Sequence, residues 1–441
     1  MIFLSSSEYT MTEAIQEAKR CLNCARPLCR TGCPIENEIP SFIHALSEGN
    51  LGQAYNIITT RSNLPAVCGR VCPHEKQCEA HCILAKKGQA IRIGELERCV
   101  ADFAEDTSLI PPKPSSGVSG KVAVIGSGPA GLTVAGDLAR QDFAVTVFES
   151  QPEPGGILLF GIPQFRLDKH VVRREIDKMS KLGVVFQTST LVGPDVTVDQ
   201  LFEQGYDAIF IGTGTALPRM LDLPGKDLPG VLPATYLLST VILSTDEHLS
   251  NEEVPVHAGD NVIVIGAGNV AMDAARTAIR LKAASVTVVY RRGEADITAL
   301  RSEYEDAVAE GVQFRFYLSP VAYEGATAVT GLKTEILELD ENGSLIETGR
   351  FETLPANCII TAVGQRPAAR IVSTTHGIDV DKSGFVITRS RPYGMTTRSG
   401  VFAGGDVVHG PATVVLAMKE AKKVAEGIAQ YIDAKKLLSD C

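Results

Sequence analysis

The sequence predicts an α/β chain in which one strand–turn–helix–strand unit occurs twice, behind a helical segment rich in cysteine. Three observations carry this expectation. Eight of the 11 cysteines fall within the 62 residues from 21 to 82. A glycine-rich turn follows a short apolar strand at Gly126, and the same pattern returns 140 residues later at Gly266. The length of 441 residues allows two to four domains at roughly 100–200 residues each.

Composition narrows the function classes. Hydrophobic residues make up 44% and charged residues 21%, which excludes wholesale disorder. The 42 Lys and Arg against 52 Asp and Glu give a net charge of -10, which argues against nucleic acid or an anionic membrane surface as partner. The start, Met1-Ile2-Phe3-Leu4-Ser5, lacks the basic region of a secretory signal, and no apolar run reaches membrane-spanning length. The expected location is cytoplasmic, where clustered cysteines more often hold metal or do redox work than form disulfides.

The helical segment comes first. Residues 11–18 are good helix formers leading into the first cysteine group. Residues 41–46 and 51–58 carry apolar side chains at three-to-four spacing, split by Gly49-Asn50. Residues 1–110 are expected to form one helical domain, and the Pro-, Gly- and Ser-rich stretch 111–120 a linker.

The first repeated unit begins with strand Lys121–Ile125, turns through Gly126-Ser127-Gly128-Pro129-Ala130-Gly131 into a helix reaching Arg140, and ends with strand Ala144–Phe148 and Glu149. In such a unit Gly126 permits the tight turn, Gly128 lets a pyrophosphate reach the backbone, and Gly131 lets helix pack on strand. The helix N-terminus supplies partial positive charge, and the acid accepts ribose hydroxyls. The second unit runs from strand Asn261–Ile265 through Gly266-Ala267-Gly268-Asn269-Val270-Ala271 to strand Ser285–Tyr290. It closes on Arg291 and Arg292 instead of an acid. Paired guanidiniums suit a 2′-phosphate, so this unit reads as NADP-binding; a solvated charge pair is the alternative. Both units are Rossmann-type. Arg301 is either a third cationic contact or a helix-surface charge. Late in the chain, Val401–Ala403 leads to Gly404-Gly405-Asp406 and then Thr413, which suits a flavin ribityl chain and diphosphate or, equally, a helix cap.

The cysteines form two runs, Cys21-x2-Cys24-x4-Cys29-x3-Cys33-Pro34 and Cys68-x3-Cys72-Pro73-x4-Cys78-x3-Cys82. Four thiolates packed so closely, with a proline after the last, suit [4Fe–4S] clusters, and eight cysteines could hold two. Structural zinc and redox disulfides are the alternatives. Cys99, Cys358 and Cys441 lack ligand spacing. Nicotinamide, flavin and clusters together make an electron path in which protein side chains orient and tune but need not react, so no catalytic nucleophile or acid is expected.

Taken together, Cys21 to Pro34, Val67-Cys68-Gly69-Arg70-Val71-Cys72-Pro73, Gly128-Pro129-Ala130-Gly131, Gly161-Ile162-Pro163-Gln164-Phe165-Arg166-Leu167, Asn269-Val270-Ala271-Met272-Asp273, Tyr290-Arg291-Arg292 and Phe402-Ala403-Gly404-Gly405-Asp406 resemble the small subunit of NADPH-dependent glutamate synthase. The likeness spans about residues 11–432. The same module occurs in dihydropyrimidine dehydrogenase and in the large subunit of the NADH-dependent ferredoxin:NADP oxidoreductase. The resemblance implies a helical iron–sulfur domain, then an FAD domain (121–230 and 369–441) of the disulfide-reductase type with an NADP domain (231–368) inserted in it. By position it implies FAD at Ser127, Gly128, Pro129, Ala130, Gly131, Glu149, Gly156, Arg166, Val192, Asp406 and Thr413. It implies NADPH at Gly268, Asn269, Val270, Ala271, Arg291, Arg292, Ala362, Val363 and Gly364.

The resemblance also implies a ligand set that differs from eight cysteines. One [4Fe–4S] cluster falls to Cys21, Cys24, Cys29 and Cys82, and the other to Cys33, Cys72, Cys78 and Glu97, with Cys68 left free. Two departures stand out: Asn269 where many relatives carry Asp, and Ile297-Thr298-Ala299-Leu300 in place of a Met-Pro stretch, which weakens the Arg301 contact. The expected activity is NADPH oxidation feeding electrons to a glutamate-forming partner subunit in a hetero-oligomer. A transhydrogenase or pyrimidine-reducing subunit is the alternative, and a non-catalytic nucleotide- and metal-binding module a third reading.

Overall fold

The computed structural model describes residues 9–103, 119–245, 250, 253–368 and 370–439. Residues 111–118 of the expected linker, and Cys441, lie outside the described residues. Contacts divide the chain into two compact units. One comprises Met1–Leu159, Gln164–Ala216 and Arg366–Cys441; the other comprises Phe160–Pro163 and Leu217–Gln365.

The first unit starts with short helices whose ends are written in the sequence. Thr10 opens helix Met11–Lys19 as a capping box, its hydroxyl accepting from the Glu13 amide while the Glu13 carboxylate accepts from the Thr10 amide. Asn50 caps helix Leu51–Thr59 by accepting from the Gln53 amide at 3.1 Å. Pro65 starts helix Pro65–Val71 at the position where a missing N–H costs nothing. Phe42, Ile43, Leu46, Ile58, Ile91, Ile93 and Leu96 bury together as the core of this segment, and Cys21, Cys29, Cys33, Cys78 and Cys82 pack along it.

The helical segment then docks on a seven-stranded sheet in the same unit. Along the sheet the strands run Thr388–Ser390, Tyr393–Thr396, Val401–Ala403, Ala208–Ile211, Gly120–Ile125, Phe143–Phe148 and Val185–Gln187. The last five pair in parallel, and the two at the other edge are antiparallel. Register brings Ile125, Phe148, Ile211 and Ala403 level, so the turns that follow these four strands gather at one end of the sheet. That is where open α/β sheets bind ligands. Asn63 is the joint between helices and sheet layer. It donates to the Thr133 carbonyl and to Asp137 at 2.8 Å, accepts from Arg140, and is 6% exposed.

The second unit holds a parallel sheet in the order Val231–Pro233, Cys358–Thr361, Asn261–Ile265, Ser285–Tyr290, Gln313–Phe316. Its three central strands are short and mostly apolar, as burial on both faces requires. A three-stranded antiparallel sheet, Leu318–Gly325, Val329–Leu339 and Leu345–Pro355, extends it. Among the described residues no helix is long and apolar enough to cross a membrane.

Candidate functional site

The first glycine turn is built as the sequence predicts. Gly128 precedes helix Pro129–Arg140, with Pro129 and Ala130 in its first turn. A Cβ on Gly131 would lie 1.9 Å from the Gly126 carbonyl oxygen, so helix and turn can approach only through glycine. A Cβ on Gly128 would meet nothing within 4 Å, leaving open space over the helix N-terminus. Gly156 arches over Gly128, where a Cβ would sit 2.8 Å from the Gly128 Cα.

Glu149 is buried and fully engaged. One carboxylate oxygen accepts from the Ser127 amide at 3.0 Å and its hydroxyl at 2.5 Å; the other accepts from the Gln151 amide at 2.9 Å and Ser150 Oγ at 3.1 Å. Its first task is therefore to tie the glycine turn to the end of the second strand. Ser127 Oγ in turn accepts from the Gly155 amide at 2.8 Å, which fixes the loop carrying Gly156.

At the same end of the sheet, Gly405 adopts a positive φ of 72° and opens a short helix at Asp406. Burial pushes the Asp406 carboxyl up to about 6, against a hydrogen bond from the Ala412 amide. The Thr413 hydroxyl is buried without a hydrogen-bond partner, and so is that of Thr213. Thr213 follows strand Ala208–Ile211 and escaped the sequence reading, although Ile211-Gly212-Thr213-Gly214 repeats the strand-then-glycine signal. Two orphaned hydroxyls beside an open glycine turn fit a polar ligand lying across the strand ends. Val192 is a buried apolar residue of the same core, and Arg166 is half-buried ahead of helix Lys169–Lys181.

The second unit repeats the device. Gly268 precedes helix Asn269–Arg280, with Asn269, Val270 and Ala271 in its first turn. A Cβ on Gly266, at φ 126°, would lie 2.5 Å from the Ala362 carbonyl oxygen, which closes the turn against Ala362-Val363-Gly364 at the end of the neighbouring strand. The Asn269 side chain accepts from the Leu300 amide at 2.9 Å, so the residue that departs from Asp pins the loop that departs from Met-Pro. Arg291 and Arg292 are exposed at the end of strand Ser285–Tyr290 and have no ion-pair partner among the described residues. Arg301 by contrast pairs with Glu294 at 3.1 Å and Glu305 at 2.8 Å, the helix-surface role of the two the sequence allowed.

The cysteines sort into two groups. Cys21, Cys24, Cys29 and Cys82 line one cavity. Burial raises the Cys29 thiol to about 11, and the neighbouring Cys21, Cys82 and Cys24 add to it. The other group gathers around Glu97 on helix Ile93–Phe103. Burial is the main cause that raises Cys33 and Cys78, and a hydrogen bond with Cys68 the main cause at Cys72; the Glu97 carboxylate pushes all three further up.

Glu97 is not a surface residue. It is 8% exposed, one oxygen has no hydrogen-bond partner, and burial with the nearby Glu175 pushes its carboxyl up to about 8. An orphaned carboxylate oxygen among three thiols is a donor set suited to iron, and ligation would remove the thiol protons that burial retains. Among the described residues no three such groups converge on one metal position; in a cubane each thiolate takes a separate iron. Cys68 Sγ lies 3.6 Å from Met418 Sδ and also hydrogen-bonds with Cys72. Cys99 and Cys358 are buried thiols.

Comparison with known proteins finds two families along the chain. The family described as dihydropyrimidine dehydrogenase domain II, 4Fe–4S cluster, matches residues 4–109, and that described as pyridine nucleotide-disulphide oxidoreductase matches residues 120–421. The glutamate synthase [NADPH] small chain of Halomonas elongata is 39% identical over 96% of this chain and 92% of its own length. That of Escherichia coli K12 is 37% identical over 96% and 92%. This chain belongs to the glutamate synthase small-chain family.

As a member of that family it is an NADPH-dependent oxidoreductase, and the family's two-part order is that of the chain. Among solved structures, Mycobacterium tuberculosis FprA aligns with a TM-score of 0.60 at 24% identity over 73% of this chain and 86% of its own, and Lactococcus lactis thioredoxin reductase with 0.54 at 22% over 71% and 99%. These likenesses give the disulfide-reductase type of α/β fold.

Proposed function

We propose that this chain takes electrons from NADPH and delivers them to a larger partner chain that forms glutamate. In this reading FAD is held at the strand ends of the first unit by Ser127–Gly131, Glu149, Gly156, Arg166, Val192, Asp406 and Thr413. NADPH is held in the second by Gly268–Ala271, Arg291, Arg292 and Ala362–Gly364. One [4Fe–4S] cluster falls to Cys21, Cys24, Cys29 and Cys82 and a second to Cys33, Cys72, Cys78 and Glu97.

The observation that carries the reading is the division of the ligand-type side chains into two separate groups, one lining a cavity and one sharing a buried unpaired carboxylate. When bound, the flavin would accept a hydride from the nicotinamide and release single electrons to the clusters. The chain's own residues do the rest. The open space over Gly128 and the helix behind it receive a diphosphate. A ribose hydroxyl reaches Glu149 by displacing the rotatable Ser150 hydroxyl, leaving the two backbone amides in place. The free guanidiniums of Arg291 and Arg292 select a 2′-phosphate.

Anaerobic affinity purification tests this reading. It expects about eight irons per chain, FAD, and a co-purifying glutamate synthase large chain. A ferredoxin- or pyrimidine-reducing partner would replace the glutamate reading with the alternative, since relatives named as formate dehydrogenase and NADPH-Fe(3+) oxidoreductase subunits share the module.

A further inference from the structure

The cavity lined by Cys21, Cys24, Cys29 and Cys82 opens between exposed apolar side chains. Leu22 is 59% exposed, Leu28 50% and Ile83 46%, and Leu22, Leu28 and Ile83 all line that cavity. Exposed leucines are ordinary singly, but three around one opening form a patch.

The charge around the patch is as distinctive. In a chain with a net charge of -10, neither residues 18–34 nor residues 80–94, the two stretches that carry these four cysteines, contain a single Asp or Glu. They do carry Arg26, Lys86 and Lys87, which are exposed and have no ion-pair partner among the described residues. Arg20 and Arg30 lie in the same stretches but are tied to Glu17 and Glu38. The other group of ligand-type residues lies deeper, with Glu97 near Glu175 of the sheet-bearing part of the unit.

We infer that this apolar patch with its unpaired cations is the docking face for the electron-accepting partner, and that the partner presents an acidic rim around an apolar centre. The inference rests on the proposed reading of Cys21, Cys24, Cys29 and Cys82 as cluster ligands. Opposite charge across an interface steers association and fixes its register, and a close apolar contact at the centre brings the two redox centres near. One NADPH supplies two electrons, which cross to the partner one at a time as the nucleotide becomes NADP+ and releases a proton.

The test uses the loaded holoenzyme, NADPH, and two one-electron probes: an acidic flavodoxin and a basic cytochrome c. Reversing Arg26, Lys86 and Lys87 together to Glu should slow flavodoxin reduction roughly tenfold or more at low salt. The difference should close near about 1 M salt, where the screening length is about 3 Å. Cytochrome c reduction should rise in the same variant. Leu22→Ser with Leu28→Ser should slow flavodoxin reduction at every salt concentration. Iron content and the bleaching of the flavin by NADPH are followed in each variant and should stay at the unmodified level. Flavodoxin reduction at the unmodified rate and salt dependence, in a charge-reversed chain that retains iron and bleaches normally, overturns the inference. Failure of NADPH to bleach the unmodified chain would overturn the proposed function, and the docking face with it.

Discussion

Cys68 Sγ and Met418 Sδ lie 3.6 Å apart, joining helix Pro65–Val71 to the long helix Val414–Ser439 that closes the chain. The two residues are 350 positions apart in sequence. The contact gives Cys68 a packing role between the cysteine-bearing helices and the sheet-bearing part, while its thiol also hydrogen-bonds with Cys72.

Cys68→Ala should therefore keep the full iron content and lower stability by about 1 kcal/mol, as the loss of one buried atom does. Cys72→Ala should lose about half the iron, since one of the two proposed clusters loses a thiolate. Iron and acid-labile sulfide per chain decide between them; half the iron missing from the Cys68 variant would make Cys68 a ligand.

Two neighbouring glycines should respond differently to the same added methyl group. Gly131→Ala places Cβ 1.9 Å from the Gly126 carbonyl, and the chain should fail to fold or lose several kcal/mol. Gly128→Ala meets nothing of the protein, so the melting temperature of the flavin-free chain should hold while FAD affinity falls. Calorimetry and flavin titration separate the two effects.

Arg291→Gln and Arg292→Gln should each raise the KM for NADPH about ten- to a hundredfold, the worth of a charge-assisted hydrogen bond of roughly 1.5–3 kcal/mol, with NADH kinetics unchanged. Arg301→Gln should alter neither, because that guanidinium is spent on Glu294 and Glu305.

Asp102 ties three helices together. It accepts from Arg70 at 2.7 Å and from Arg174 at 2.8 Å, and Arg98 lies 3.8 Å away. Burial alone would raise its carboxyl; the Arg70 and Arg174 guanidiniums outweigh burial and hold it below the ordinary range. A depressed native pKa stabilises the fold above the ordinary carboxylate range, and the contribution is lost as pH falls through the native value. Asp102→Asn should therefore lower the melting temperature at neutral pH and flatten its decline on acidification. Parallel pH–melting curves for the two proteins would refute this.

Much of the layout was legible in sequence because local chemistry and tertiary need coincide. At Gly126–Gly131 and Gly266–Ala271 the close approach of backbone to backbone admits only small residues, and the strands before them are apolar because both their faces are covered. Asn269 was visible only as a departure from pattern, and its bond to the Leu300 amide needed three dimensions. Asp102 and Met418 gave no sign of their long-range roles: each looks like an ordinary helix residue, and Arg70, Arg174 and Cys68, which they meet, lie 32 to 350 positions away. Long-range contacts between unremarkable side chains leave no local trace. Thr213 differs from these, since its glycine-flanked position after an apolar strand repeats a pattern already in use.

The central ladder of the seven-stranded sheet pairs Ala208–Ile211 with Val401–Ala403, while the second unit intervenes in sequence. During synthesis, then, the cysteine-bearing helices leave the ribosome with their own core complete, but the strand that finishes the adjoining sheet and the methionine that covers Cys68 arrive last. Closing so long a loop is slow, and the edge of strand Ala208–Ile211 stays unpaired meanwhile. Iron loading can therefore precede flavin loading on the growing chain, and truncation between residues 217 and 400 should yield a product that keeps the means to hold iron but aggregates through that open strand.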